Sequence, residues 1–289
     1  MEQLLLLQET KISEILGGRV DPRLEASGVL AKDGVFYVIF DNLADIACLG
    51  GQLSPESSEN RLIRQKHGHH RGFEDIAYDR GSHRYYVLIE SLPRRGGLFM
   101  AKVQEYDQNL RYQSDAWLDF TLQRPNKGLE GLTCIHRDGE THLLGLCEGN
   151  KCKAGAEGRK PGGGRIQVFC RGQKHWDRVG KIRLPRTLLF EDYSSIAADG
   201  DCLAVVSQAN SALWVGTLAP SSWDFVDEGI NYTFPRNAHG QVIYCTIEGV
   251  SWISSNRIVV VSDKAKSKQG KRCREKDQSI HIFEIPARS

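Results

Sequence analysis

Five stretches of the chain align on one another: LEASGVLAKDGVFYVIFDN from Leu24, FEDIAYDRGSHRYYVLIES from Phe73, LEGLTCIHRDGETHLLGLCEGN from Leu129, YSSIAADGDCLAVVSQAN from Tyr193 and IEGVSWISSNRIVVVSDKA from Ile247. Each opens on an apolar or aromatic residue and then a Glu, passes through small residues, and breaks at a polar turn. It resumes as a β-rich strand that ends in an acid or an amide. The fourth copy departs, with Ser194 in the Glu position and Gln208 at the end of its second strand. Two further strand-like runs follow each pair, such as LFMAKVQEYD with RYQSDAWLDF, and RIQVFC with WDRVGKIRLP. Four strands in roughly fifty residues, repeated with turn signals between them, is the pattern of a propeller blade. Helical periodicity is not sustained over several turns anywhere in the sequence.

The last copy is one strand short, because little follows SIHIFEIP before Ser289. Near the other terminus, LLLLQETKISEI offers a spare strand. The sequence therefore predicts an all-β fold. It is read as a single β-propeller over residues 1–289 with five four-stranded blades, starting near 25, 74, 130, 194 and 248. The N-terminal strand 4–15 forms the outer edge of the last blade and closes the ring without an unpaired edge inside it. A β-sandwich or two small barrels would not explain so regular a recurrence of the Glu signature.

Bulk properties narrow the function classes. A chain of 289 residues with 38 Lys and Arg against 36 Asp and Glu has a formal charge of +2, so nothing global calls for nucleic acid. No apolar run reaches membrane-spanning length, which argues against a membrane partner. The opening MEQLLLLQETKISEIL carries an acid at Glu2, four consecutive leucines and then polar residues, which is not the pattern of a secretion signal. The eight cysteines fall mostly within hydrophobic runs. The expectation is reduced, structural thiols in the cytoplasm. The pair in CEGNKC lacks the partner pair that a structural zinc site needs.

In a propeller, the innermost strand of each blade begins beside the axis and the second strand returns to the same face. On that geometry Glu25, Glu74, Glu130 and Glu248 form an upper ring with Asp75 close by, and Asp41, Glu90, Glu148 and Asp263 sit slightly outside it. So many like charges in a narrow mouth need protonation, basic partners or a bound cation. Oxygen-only ligands favour a hard ion, calcium before magnesium. The plainer reading is that these acids accept hydrogen bonds from loop backbone and stitch blades together.

The loops expected on that face are basic: IRQKHGHHRG, LPRRGG, RPNKG, NKCKAGAEGRKPGGGR and KAKSKQGKRCREK. Taken singly, each reads as a solvated loop; together they give an acidic throat a basic rim suited to an anionic ligand such as a phosphate ester. Arg71, Arg94, Arg95, Lys127 and Lys264 are the candidates for holding negative charge. In HGHH, His70 is a candidate general acid or base beside Glu74 and Glu130, although such a cluster is more often an exposed loop. KPGGGR lacks the ending of a phosphate-binding P-loop, and no nucleophile elbow appears.

The LEASGV…FYVIFDN, FEDIAYD…YYVLIES and IEGVSWI…IVVVSD units resemble phytase-like and SdiA-regulated β-propellers, also described as having esterase-like activity of phytase. A fainter resemblance is to lactonase-like propellers, metal enzymes with a Glu at the channel mouth. The better-known phytases of this kind are six-bladed, secreted and calcium-rich, so phytate itself is not the expected substrate. The resemblance implies a metal-dependent hydrolase acting on a small anionic substrate at the top of the channel. Two other functions fit the same face: a non-catalytic propeller binding a ligand or partner protein, and a metal-free site whose carboxylates grip a cationic metabolite.

Overall fold

A computed structural model describes residues 2–18, 23–122 and 128–287. Its strands sort into five antiparallel meanders. The innermost strands are Ala26–Lys32, Phe73–Asp79, Leu129–Arg137, Ser195–Asp199 and Ile247–Ser254. Each contacts the next in that order, and the fifth contacts the first, which closes a cycle about a central axis. The fold is a β-propeller, as the repeats predict.

Local chemistry explains the hairpins at the inner edge. Asp33 and Gly34 both have positive φ, 52° and 78°, as do Asp138 and Gly139 at 53° and 79°. Asp-Gly is the pair best suited to a turn that needs two such residues, and its twist matches the flanking strands. The second strands that follow, including Val35–Phe40 and Arg257–Ser262, are rich in Val, Ile and Phe and largely buried. They are covered on both faces because blades stack face to face. The apolar core accordingly lies in layers between neighbouring meanders. Ile39 and Ile46 of the first pack with Phe73 and Tyr85 of the second, and Val205 and Trp214 of the fourth pack with Leu144 and Ile166 of the third.

The N-terminal segment closes the ring. Leu5–Lys11 pairs antiparallel with Ser279–Glu284, from Leu5 opposite Glu284 to Lys11 opposite Ser279. The strand expected over 4–15 stops at Lys11, and Ile12–Ile15 forms a helical turn that places Ile12 and Ile15 in the core between the fifth and first meanders. Just before it, Glu2–Gln3 pairs parallel with Ile230–Thr233 of the fourth meander. A second irregularity joins the second and third meanders. Their outer strands, Tyr112–Leu118 and His175–Arg183, pair parallel through Trp117 with His175 and Leu118 with Trp176, giving one eight-stranded sheet.

The reading of all cysteines as reduced is corrected. Cys147 bonds to Cys152 and Cys245 to Cys273, while Cys48, Cys134, Cys170 and Cys202 are free. CEGNKC is thus a disulfide loop, and both bridges pin basic loops beside the acidic ends of the inner strands.

Near the axis the inner strands approach so closely that a Cβ on Gly249 would lie 2.8 Å from the Gly28 Cα. Asp75 is fully buried at this level. Its carboxylate accepts hydrogen bonds from Leu132 N (3.0 Å), Ile76 N (2.9 Å) and Ser195 Oγ (2.9 Å), and Ser195 Oγ in turn accepts from Val250 N at 3.0 Å. Asp75 and Ser195 together thereby link four inner strands.

Candidate functional site: a ring of carboxylates

In the second, third and fifth meanders the ladder skips at the Glu. The register jumps from Phe73 to Ile76, from Leu129 to Gly131 and from Ile247 to Gly249. A bulge next to a site re-aims a side chain that would otherwise follow the alternation of the strand. In the fourth meander the ladder runs without a skip from Ser195. There Ser194 Oγ donates to the carbonyl of Ile247 at 3.0 Å, so the residue replacing Glu serves the backbone of the next repeat.

Backbone hydrogen bonds join the strand ends. Asp41 N donates to Glu25 O at 2.8 Å, Gly72 N to Asp41 O at 2.7 Å, and Glu90 N to Gly72 O at 2.8 Å. On the far side Tyr193 N donates to Glu148 O at 2.9 Å and Asp263 N to Thr246 O at 2.8 Å. The acids that close the second strands are thereby fixed beside those that open the inner strands.

Electrostatics sets the character of the ring. Glu74 and Glu248 keep some open surface, but protein mass surrounds them. Burial pushes the Glu74 carboxyl well above the usual carboxylate range. The Glu130 charge, a hydrogen bond shared with Glu130, and the charges of Asp41 and Glu248 push the same way. Glu248 is raised well above that range too, by burial and then by Asp263 and Glu130, against the opposing hydrogen bond from Gln208 and the charge of Lys266. Asp263 is pushed up to about 7, chiefly by burial, although the Lys264 amide donates to it. Asp41 and Glu90 are raised by burial and held back by Arg71.

The other predicted residues are placed as follows. Arg71 is at the edge of the ring, acting on Asp41 and Glu90. Lys264 meets Asp263 through its backbone amide, and the cation whose charge reaches Glu248 and Asp263 is Lys266, which the sequence reading passed over. Arg94 stacks on the Trp117 ring at 4.4 Å, toward the outer strand of its own meander, and Arg95 is exposed in the same turn. His70 is exposed, while its neighbour His69 is partly buried near Lys102 and Asp115. Lys127 lies outside the described residues. Gln208 donates to Glu248, which makes the amide of the odd repeat a member of the ring.

The donor set is oxygen alone, which fits a hard divalent cation, and the burial and mutual repulsion that disfavour ionised Glu74 are what a cation would relieve. The ring is also wide: among the described residues, no three of its carboxylates bring oxygens within 4.8 Å of one another. A cavity of about 1260 Å³ opens at the opposite end of the axis, where Lys32, Tyr78, Cys134, Asp199 and Trp252 line it.

No protein-family model and no curated protein matches the sequence. Solved structures do match in fold. Glutaminyl cyclase from Myxococcus xanthus superposes with a TM-score of 0.54 at 13% identity, covering 98% of this chain and 97% of that one. Regucalcin, a calcium-binding protein from Agrobacterium tumefaciens, gives 0.50 at 9% identity, covering 99% and 95%. At these identities the shared property is the β-propeller fold, one that carries enzymes. Among the described residues, no helix is long and apolar enough to cross a membrane.

Proposed function

We propose that the chain is a five-bladed propeller enzyme of the hydrolase class, dependent on a divalent cation and acting on a small anionic substrate such as a phosphate ester. The supporting observation is the enclosed set of like charges. Glu74, Glu248 and Asp263 are all pushed up by burial and by neighbouring acids of the ring, with Lys266 and Arg71 as the cations that act on it. Glu74, Glu130, Glu248 and Asp263 would hold the ion, calcium before magnesium, with Glu25, Asp41, Glu90 and Glu148 around them. Calcium-binding regucalcin shares the fold. A bound divalent ion supplies Lewis-acid polarisation and a water of lowered pKa.

The chain's own residues do the rest. Burial and the neighbouring Glu130 charge favour the protonated form of Glu74 when no ion is bound, and a cation held there would displace that proton. Arg71 presents its charge at the mouth, and Lys266 and the basic loops extend it. His70 is the exposed base of the rim. The two disulfides favour an oxidising compartment over the cytoplasm.

The width of the ring favours a second reading, in which the carboxylates surround a cationic metabolite with no metal. Thermal melts with calcium, magnesium or chelator separate the two. An ion at 100 times its dissociation constant raises stability by about 2.7 kcal/mol. Glu74→Gln and Glu130→Gln should abolish that gain. Indifference to both metals in wild type overturns the metal reading and leaves the cationic ligand or a non-catalytic binding propeller.

A further inference from the structure

The third meander carries a cluster of different chemistry. Its second strand, Glu140–Cys147, pairs with its third, Arg165–Arg171, in a register that sets His142 directly opposite Cys170. Directly opposed residues present their side chains on one face of a sheet, roughly 5 Å apart. Glu140 stands two residues before His142 and shares that face. As a result, Cys170 Sγ donates to Glu140 Oε2 at 2.9 Å and lies 3.7 Å from His142 Nε2. One donor atom from each of the three residues falls within 4.8 Å of the other two. The imidazole is steadied from the neighbouring meander by Trp223, whose ring meets it edge-on at 5.3 Å.

We propose that Glu140, His142 and Cys170 form a second metal site, for a borderline divalent ion of the zinc type. The donor set decides the class. A thiolate and an imidazole beside one carboxylate select zinc-like ions over calcium or magnesium. Three protein ligands leave one position for water, which is the arrangement of an open site rather than a closed structural one. Asp177, opposite Cys170 on the fourth strand, is engaged with His175 at 2.7 Å and is not counted as a ligand. Binding forms a metal–sulfur bond and releases the thiol proton, now given to Glu140, to solvent. The site is separate from the carboxylate ring: Glu148 is six positions along the extended strand from His142, roughly 20 Å away.

Cobalt(II) titration of the purified protein, disulfides intact, tests this directly. One equivalent should produce a thiolate-to-cobalt charge-transfer band that zinc displaces, with release of one proton. Cys170→Ser and His142→Ala should each lose the band, and Glu74→Gln, in the other site, should keep it. Cys48, Cys134 and Cys202 are also free thiols, so a band that survives in Cys170→Ser overturns the proposal. So does the absence of any band in wild type, or its loss in Glu74→Gln. Circular dichroism of each variant separates loss of ligation from loss of fold; if His142→Ala does not fold, Glu140→Gln replaces it and should weaken cobalt binding at least tenfold.

Discussion

Two groups of acids in this molecule have opposite fates. Glu9, in the strand that closes the ring, meets Lys276, the Nδ1 of buried His281 at 3.2 Å and the hydroxyl of Tyr244 at 3.2 Å. The hydrogen bond from His281, then those of Lys276, outweigh burial and pull the Glu9 carboxyl down to about 2. Glu74 and Glu248 meet mainly other acids and are driven upward. The first arrangement has what a structural carboxylate requires, a donor for each oxygen. The second keeps its carboxylates under mutual repulsion, which costs stability and is retained in functional sites far more readily than in seams. The fourth repeat sharpens the contrast, because Ser194 and Gln208 supply donors where the other repeats supply charge.

The largest effect should come from removing the seam altogether. Deletion through Ile15 strips the strand from Ser279–Glu284, exposes an apolar edge and leaves Lys276 and His281 without Glu9. The expected outcome is insolubility or a large fall in melting temperature. A stable, monomeric truncation would break the closure by strand Leu5–Lys11.

Single substitutions should differ in sign. Glu9→Gln removes charge-assisted hydrogen bonds and should cost about 1.5–3 kcal/mol at neutral pH. Glu74→Gln or Glu248→Gln, measured in chelator, should instead raise the melting temperature, because each relieves like-charge strain. Equal signs in the two places would end the comparison.

Acidity gives a subtler version. Glu9 has a folded value of about 2, below its ordinary 4.5, so its stabilisation is complete above pH 4.5 and is lost as pH falls toward 2. Asp263 runs the other way. Its folded value near 7 exceeds its ordinary 3.8, so stability is greatest below pH 4 and declines as pH rises to 7. Metal-free melting should therefore peak in mild acid. Asp263→Asn should flatten the neutral side of the peak and Glu9→Gln the acid side. The smallest effect belongs to Arg94→Ala with Arg95→Ala, which forfeits a stacking contact on Trp117 worth about 0.5–1 kcal/mol. Unchanged affinity for every anionic ligand would move substrate binding away from that turn.

Repeats, closure and the convergence of the acids were legible in the sequence because period-two patterning and a recurring Glu determine them locally. What escaped depends on loops and register. Cys245 and Cys273 are separated by 28 positions, and only the folded loop sets their Cα atoms 5.4 Å apart. Asp75 reads as an acid close to the ring, yet the bulge at Phe73–Ile76 sends it inward to bind two neighbouring strands. Arg94 was assigned to the mouth by its loop, whereas an aromatic face within its own meander captured it. Glu140 and His142 did leave a trace, an alternation at the start of a strand, but Cys170 joins them only through the pairing.

The parallel seam between Tyr112–Leu118 and His175–Arg183 changes how the ring should come apart. It makes the second and third meanders one mechanical body, and the N-terminal segment, running from the sheet of the fourth meander into that of the fifth, makes another. Among the described residues, the first meander pairs no strand with a neighbouring meander and takes none from the N-terminal segment. Opening of the ring, in hydrogen-exchange terms, should thus proceed as two paired units and a single leaf, with the amides of Arg61–Ile63 at the outer edge of that leaf exchanging ahead of the other outer strands.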